Sequence, residues 1–267
     1  MKELLRKFNA VVRFNWQGDL EYRSYFLFWA VVESLPFLVM FFLWKFIYAD
    51  QSIVAGYDLS QMITYYFLVF VIDRLTVTYL EWNISGRIKD GMFAQFLYRP
   101  LPHRLYYFAS SVSQRAVRVV VTIPVLIAGI LIFGKYLVWT SFTNLALFFL
   151  ALIVAWFLNL YLAVLTGYFA FWMDRANSIF YLRWSLSYYL SGQFLPLSFF
   201  GPQVQTIINL LPFRYTFGFP IELYLGKLTT TEAVYGFVIG VGWVLALAIV
   251  DRLVYARGIK RFKAIGN

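Results

Sequence analysis

Six ionisable side chains interrupt stretches of sequence that are otherwise apolar: Glu33, Asp73, Arg74, Glu81, Arg115 and Arg118. A charge at bilayer depth costs roughly 2.5–3.5 kcal/mol on insertion scales, so each of these groups has to face protein, water or a countercharge. Groups so placed either tie helices together or relay a proton or ion. Counted along two antiparallel helices at 1.5 Å per residue, Asp73 lies about 12 Å above Glu81 and Arg115 about 18 Å above His103. Arg115 and Arg118, three residues apart, share one helix face. The matching depths predict a pair between Asp73 and Arg115 or Arg118, with a structural tie as the preferred role. Other reactive chemistry is sparse. The chain has no cysteine and one histidine. His103, beside Pro102, cannot build a metal site alone and reads as a loop residue. No GxxxxGK[ST] phosphate loop is present, and no Ser/His/Asp order or paired-carboxylate spacing stands out. The chain does not read as an enzyme, and no metal or cofactor is expected in it.

The rest of the sequence explains why so few charges matter so much. Of 267 residues, 61% are hydrophobic and 13% charged, against about 45–50% and 25% in soluble domains. The surplus apolar area must face lipid. Aromatic residues make up 22%; Phe suits the hydrocarbon, Tyr and Trp its wet boundary. The net charge of +10 falls in clusters between apolar runs, which favours anionic lipid over nucleic acid as the partner.

Hydropathy predicts an all-α membrane protein with six transmembrane helices, in one domain covering 1–267. Residues 1–17 alternate Leu4, Leu5, Phe8, Val11, Val12 and Trp16 with a charged face, as in an interfacial amphipathic helix, and Gly18-Asp19 should end it. Nothing there reads as a signal peptide. Spans are predicted at about 25–48, 61–82, from near His103 to 133, within 142–173, at 177–200 and at 232–251. Sixteen Lys and Arg fall in 1–24, 83–104, 174–183 and the tail, against three on the alternate side. By the positive-inside rule both termini and 83–104 are cytoplasmic, with 50–59 and 134–141 outside.

Two segments fit neither span nor simple loop. In 83–104, a short amphipathic helix over about 86–98 would place Ile88, Met92 and Phe96 on one face. It suits insertion into a groove of a soluble partner, with Gly91 permitting close approach and Phe93 or Phe96 as the apolar anchor; the alternative is a lipid-anchored loop. In 201–226, three prolines, Gly218, Arg214 and Glu222 predict one or two short helices dipping partway into the membrane. Broken backbone at that depth is tolerated only against protein or a water-filled cavity. With Pro196 ahead of it, the segment could form an outer gate, with Pro212, Arg214, Pro220 and Glu222 as its candidate residues.

These features in this order resemble the permease subunits of the type-2 ABC exporter family. ISGRIKDGMFAQFLYRPLP (84–102) is similar to the family's coupling segment, and LSGQFLPLSFF with LLPFRYTFGFPIELYLG (190–226) to its fifth-span end and re-entrant helices. The resemblance implies that Gly86, Arg87, Lys89, Asp90, Gly91, Phe93, Phe96, Arg99 and Pro100 form the coupling surface. It implies a dimer of permeases, identical or sister chains, in a plasma (inner) membrane. Two cytoplasmic ABC ATPase subunits that bind ATP and Mg would drive it. An ion- or proton-coupled secondary transporter is the alternative; inverted repeats would favour it, and none is visible. Span walls of Phe, Leu, Tyr and Trp point to an amphipathic, lipid-like or lipid-linked cargo rather than a small ion.

Overall fold

The computed structural model describes residues 2–21, 23–98 and 101–262. Arg99, Pro100 and the tail from Lys263 lie outside them. The described residues form twelve α-helices: α1 (Lys2–Glu21), α2 (Arg23–Val32), α3 (Leu35–Ile47), α4 (Leu59–Thr76), α5 (Leu80–Lys89), α6 (Gln95–Tyr98), α7 (His103–Phe133), α8 (Phe142–Tyr168), α9 (Asn177–Leu190), α10 (Pro202–Leu210), α11 (Gly218–Tyr224) and α12 (Thr230–Gly258).

Several helix starts follow from side-chain caps. Asp58 accepts from the Gln61 N–H while the Gln61 side chain accepts from the Asp58 N–H, and Thr229 and Glu232 do the same ahead of α12. Both are capping boxes, each satisfying two backbone donors that a helix start leaves orphaned. Ser141 caps α8.

Five helical stretches are long and apolar enough to cross a membrane: Leu27–Ile47, Leu59–Lys89, His103–Tyr136, Phe142–Phe171 and Thr230–Gly258. Two of them are broken within their length. Pro36 lacks an N–H and its ring excludes the carbonyl four residues back, so the chain turns at Glu33–Ser34 between α2 and α3. The Ser34 hydroxyl donates to the Val31 carbonyl there at 2.6 Å. Three consecutive β-branched residues, Thr76, Val77 and Thr78, disfavour continued helix; Val77 is extended, and α4 stops before α5 resumes at Leu80.

The run expected at 177–200 also divides. Its helix, α9, has 14 residues, about 21 Å at 1.5 Å per residue, short of a hydrocarbon core of about 30 Å. The chain then turns at Gly192, whose φ of +88° a side chain would strain. The turn is held by α4: the Tyr65 hydroxyl donates to the Gly192 carbonyl at 2.5 Å and Tyr66 to that of Phe194 at 2.9 Å. The 201–226 segment comprises α10, a 3₁₀ turn and α11. Pro220 sits in the first turn of α11, where its missing N–H is no loss.

α8 is the central element, packed by α4, α5, α11 and α12. Its crossing with α5 depends on Gly167, since a Cβ there would lie 2.8 Å from Cβ of Ile84. At the N-terminus the expected break at Gly18-Asp19 is absent: α1 continues through both to Glu21. Phe8, Val11, Val12 and Trp16 are half-buried, but Leu4 and Leu5 stay exposed. Asn15 donates to Ser110 of α7 at 2.9 Å. The apolar stripe of α1 is thus partly spent on the chain's own α7.

Candidate functional site

The two helix breaks bring the charged residues together. Glu33, at the α2–α3 turn, forms an ion pair with Arg74, and Arg74 also binds its neighbour Asp73. Arg74 is buried and lies over the Phe70 ring. Where α4 stops, the Thr76 carbonyl has lost the N–H that a continuous helix would supply. Arg115 replaces it, donating from Nη2 at 2.7 Å, and the cation also suits the negative end of a helix dipole. The same guanidinium donates to the Ser111 carbonyl and hydroxyl and lies over Trp156. Asn159 donates to the Thr76 hydroxyl at 3.2 Å.

The expected pair between Asp73 and Arg115 or Arg118 is therefore not formed. Arg74 takes the carboxylate, and the freed carbonyl takes Arg115. Arg118 lies 5.0 Å over the Tyr79 ring, and its Nη1 is buried without a hydrogen-bond partner. The most deeply buried tie joins residues that the sequence does not pair. Glu81, fully buried, accepts from Arg183 Nη2 at 2.5 Å and Trp184 Nε1 at 2.7 Å. Arg183, expected among the cytoplasmic basic residues, is instead buried in α9. Its position two turns into an apolar helix was the available signal.

Three neighbouring cavities open around this cluster, of about 220, 530 and 360 Å³. Tyr79, at the α4–α5 break, lines all three. Glu33 and Arg74 line two of them, as do Asp73 and Trp184. Trp29, Trp82, Tyr66, Tyr188 and Tyr189 complete walls that are aromatic between the charges. The arrangement offers flat apolar faces with charged groups at fixed points, which suits one molecule with both kinds of surface.

The 201–226 segment builds a separate cleft of about 500 Å³. Arg214 binds Glu222 at 2.6 Å and also Asn209. Pro196 precedes the 3₁₀ turn Leu197–Phe199, and Pro212 opens the turn that carries Arg214. Lys227 closes one side by donating to the Gly56 carbonyl at 2.7 Å.

The 83–104 connection departs from the expected single helix. α5 ends at Lys89, Gly91 adopts φ +71°, and a 3₁₀ turn (Met92–Ala94) leads to the single turn of α6. Ile88, Met92 and Phe96 do not share one face. Phe93, expected as a partner's anchor, is fully buried against Phe171, Tyr255 and Phe262. Gly91 provides the left-handed turn that drives Phe93 inward; its role here is conformational. Phe96 is half-buried beside Tyr106 and Tyr107. Arg87 turns back onto Asn83 and Tyr106, and Gly86 and Lys89 are half-buried. Asp90, Met92, Leu97 and Tyr98 are exposed. His103 is no loop residue: it starts α7, buried and stacked 3.9 Å from Tyr255.

Residues 35–266 match the family model described as ABC-2 family transporter protein. No curated protein and no solved structure matches the chain.

Proposed function

The chain belongs to the ABC-2 family of transporter proteins, and from that premise we propose that it is the membrane subunit of an ATP-driven exporter moving an amphipathic, lipid-like or lipid-linked molecule outward. Membership makes it a multi-pass permease that works with an ABC ATPase. ATP and Mg then belong to that partner, and a second permease chain, identical or sister, completes the complex. The observation that carries the cargo reading is the set of cavities around Tyr79, aromatic-walled and set with charges. A small ion would call instead for rings of charge or carbonyls. Most of the intramembrane charges here are already engaged with one another or with freed backbone, which argues against a relay.

The test is ATP turnover by the complex, permease and ATPase together, reconstituted in vesicles. Amphiphiles should stimulate it and small polar solutes should not. Stimulation by a small polar solute alone, with no response to any amphiphile, would count against the reading.

The topology we propose has six passes, the α9–α11 region supplying the fifth together with a re-entrant segment, with both termini cytoplasmic in a plasma membrane. With Arg183 assigned to the interior, fifteen basic residues rather than sixteen remain on the cytoplasmic side, against three, and the orientation is unaffected. Because the chain has no cysteine, single cysteines at exposed positions report sidedness. An impermeant thiol reagent added to intact cells should label Ser52→Cys and leave Asn83→Cys unlabelled. The reverse pattern would invert the topology.

A further inference from the structure

We propose that the cavity beside Arg118 binds the anionic headgroup, phosphate or carboxylate, of a molecule that also carries an apolar chain. The charge ledger of this layer of the molecule is the first observation. Four guanidinium groups, those of Arg74, Arg115, Arg118 and Arg183, face three carboxylates, those of Glu33, Asp73 and Glu81. Guanidinium does not deprotonate in proteins, so the layer holds one positive charge that these side chains leave unmatched. The second observation is which of the four keeps open donors. Arg74 is held by Glu33 and Asp73, Arg183 by Glu81, and Arg115 by the Thr76 and Ser111 oxygens. Arg118 alone of the four, among the described residues, has no hydrogen-bond acceptor; it rests on the Tyr79 ring, and one nitrogen is sealed from solvent without a partner.

The third observation is the space in front of it. Arg118 lines the cavity of about 530 Å³ with Trp29, Tyr79, Trp82 and Trp184; Glu33 also lines it, its carboxylate paired with Arg74. A planar fork of donors at an aromatic-walled opening suits an oxyanion, bound through paired hydrogen bonds. The tryptophan faces provide for what the oxyanion is attached to, and they make an apolar chain the better companion than water. Calling this ligand the cargo rests on the exporter reading; the binding itself does not, because it belongs to the permease alone.

The experiment measures equilibrium binding of radiolabelled short-chain phosphatidic acid to the purified full-length chain in zwitterionic nanodiscs. Phosphatidylcholine of the same chain length is the second probe and inorganic phosphate the competitor. The expected result is saturable binding of phosphatidic acid. Arg118→Gln should weaken it about tenfold or more, and Arg118→Lys should weaken it less. Inorganic phosphate should compete only weakly. Equal binding of the two lipids by the native chain would overturn the proposal. So would undiminished phosphatidic acid binding by Arg118→Gln, or inorganic phosphate competing as strongly as the lipid, which would make the site one for a free anion. Where Arg118→Gln does not stay monodisperse, the lysine variant and the three probes on the native chain decide. Headgroup-selective binding without stimulated ATP turnover would instead remove the exporter reading and leave this one standing.

Discussion

Arg183→Leu, with Glu81 left in place, is expected to destabilise the chain by about 3–5 kcal/mol, the loss typical of a buried ion pair with one partner removed. Glu81 is wholly inaccessible, and its two hydrogen bonds, from Arg183 and Trp184, both fall on one oxygen; the other oxygen has none. Without Arg183, a buried carboxylate keeps a single neutral donor. Glu81→Leu alone should do comparable harm by stranding the guanidinium. Changing both to leucine should recover much of the loss, because apolar groups of similar volume need no partners. The measurement is thermal loss of the monodisperse peak in detergent for the native chain, both single variants and the double. Singles that melt with the native chain, or losses that simply add in the double, would show that the pair holds nothing together.

That pair also marks how far the sequence could be read. Apolar runs of span length are visible because lipid demands them everywhere along a helix, so α7 and α8 emerge close to their expected limits, while α12 runs on past 251 to Gly258. The capping boxes at Asp58 and Thr229 are equally local in cause. Helix breaks are local in cause but not in consequence. Pro36 and the run Thr76–Thr78 announce a weakness, yet neither says which distant group will satisfy the backbone that opens. Arg115, 39 residues from Thr76, does so. Glu81 and Arg183 lie 102 residues apart, and only the packing of α9 against α5 and α8 makes them neighbours. The Asp73 pairing failed on this point: matched depth gives a distance along the membrane normal but no azimuth, and a closer competitor, Arg74, was adjacent in the chain.

Burial decides the second large effect, at the turn between α5 and α7. Met92→Asp with Leu97→Asp is expected to abolish recovery of the ATPase with the permease while leaving permease melting within about 0.5 kcal/mol of the native chain. Both side chains are more than half exposed, as is Tyr98, and an apolar anchor at the centre of a partner's groove is where binding energy concentrates. A carboxylate carried into an apolar groove would lose its hydration. Phe93→Ala should behave in the opposite way. Its ring lies fully buried among Phe96, Phe171, Tyr255 and Phe262, so truncation leaves a cavity and costs about 3–5 kcal/mol of stability. Any weakening of ATPase recovery by Phe93→Ala would follow only from that loss, and should be relieved by cooling. The two variants thus separate a docking surface from the scaffold that shapes it. Full ATPase recovery and turnover with Met92→Asp and Leu97→Asp combined would remove this turn from the interface, and the exposed residues would then be read as membrane-surface contacts.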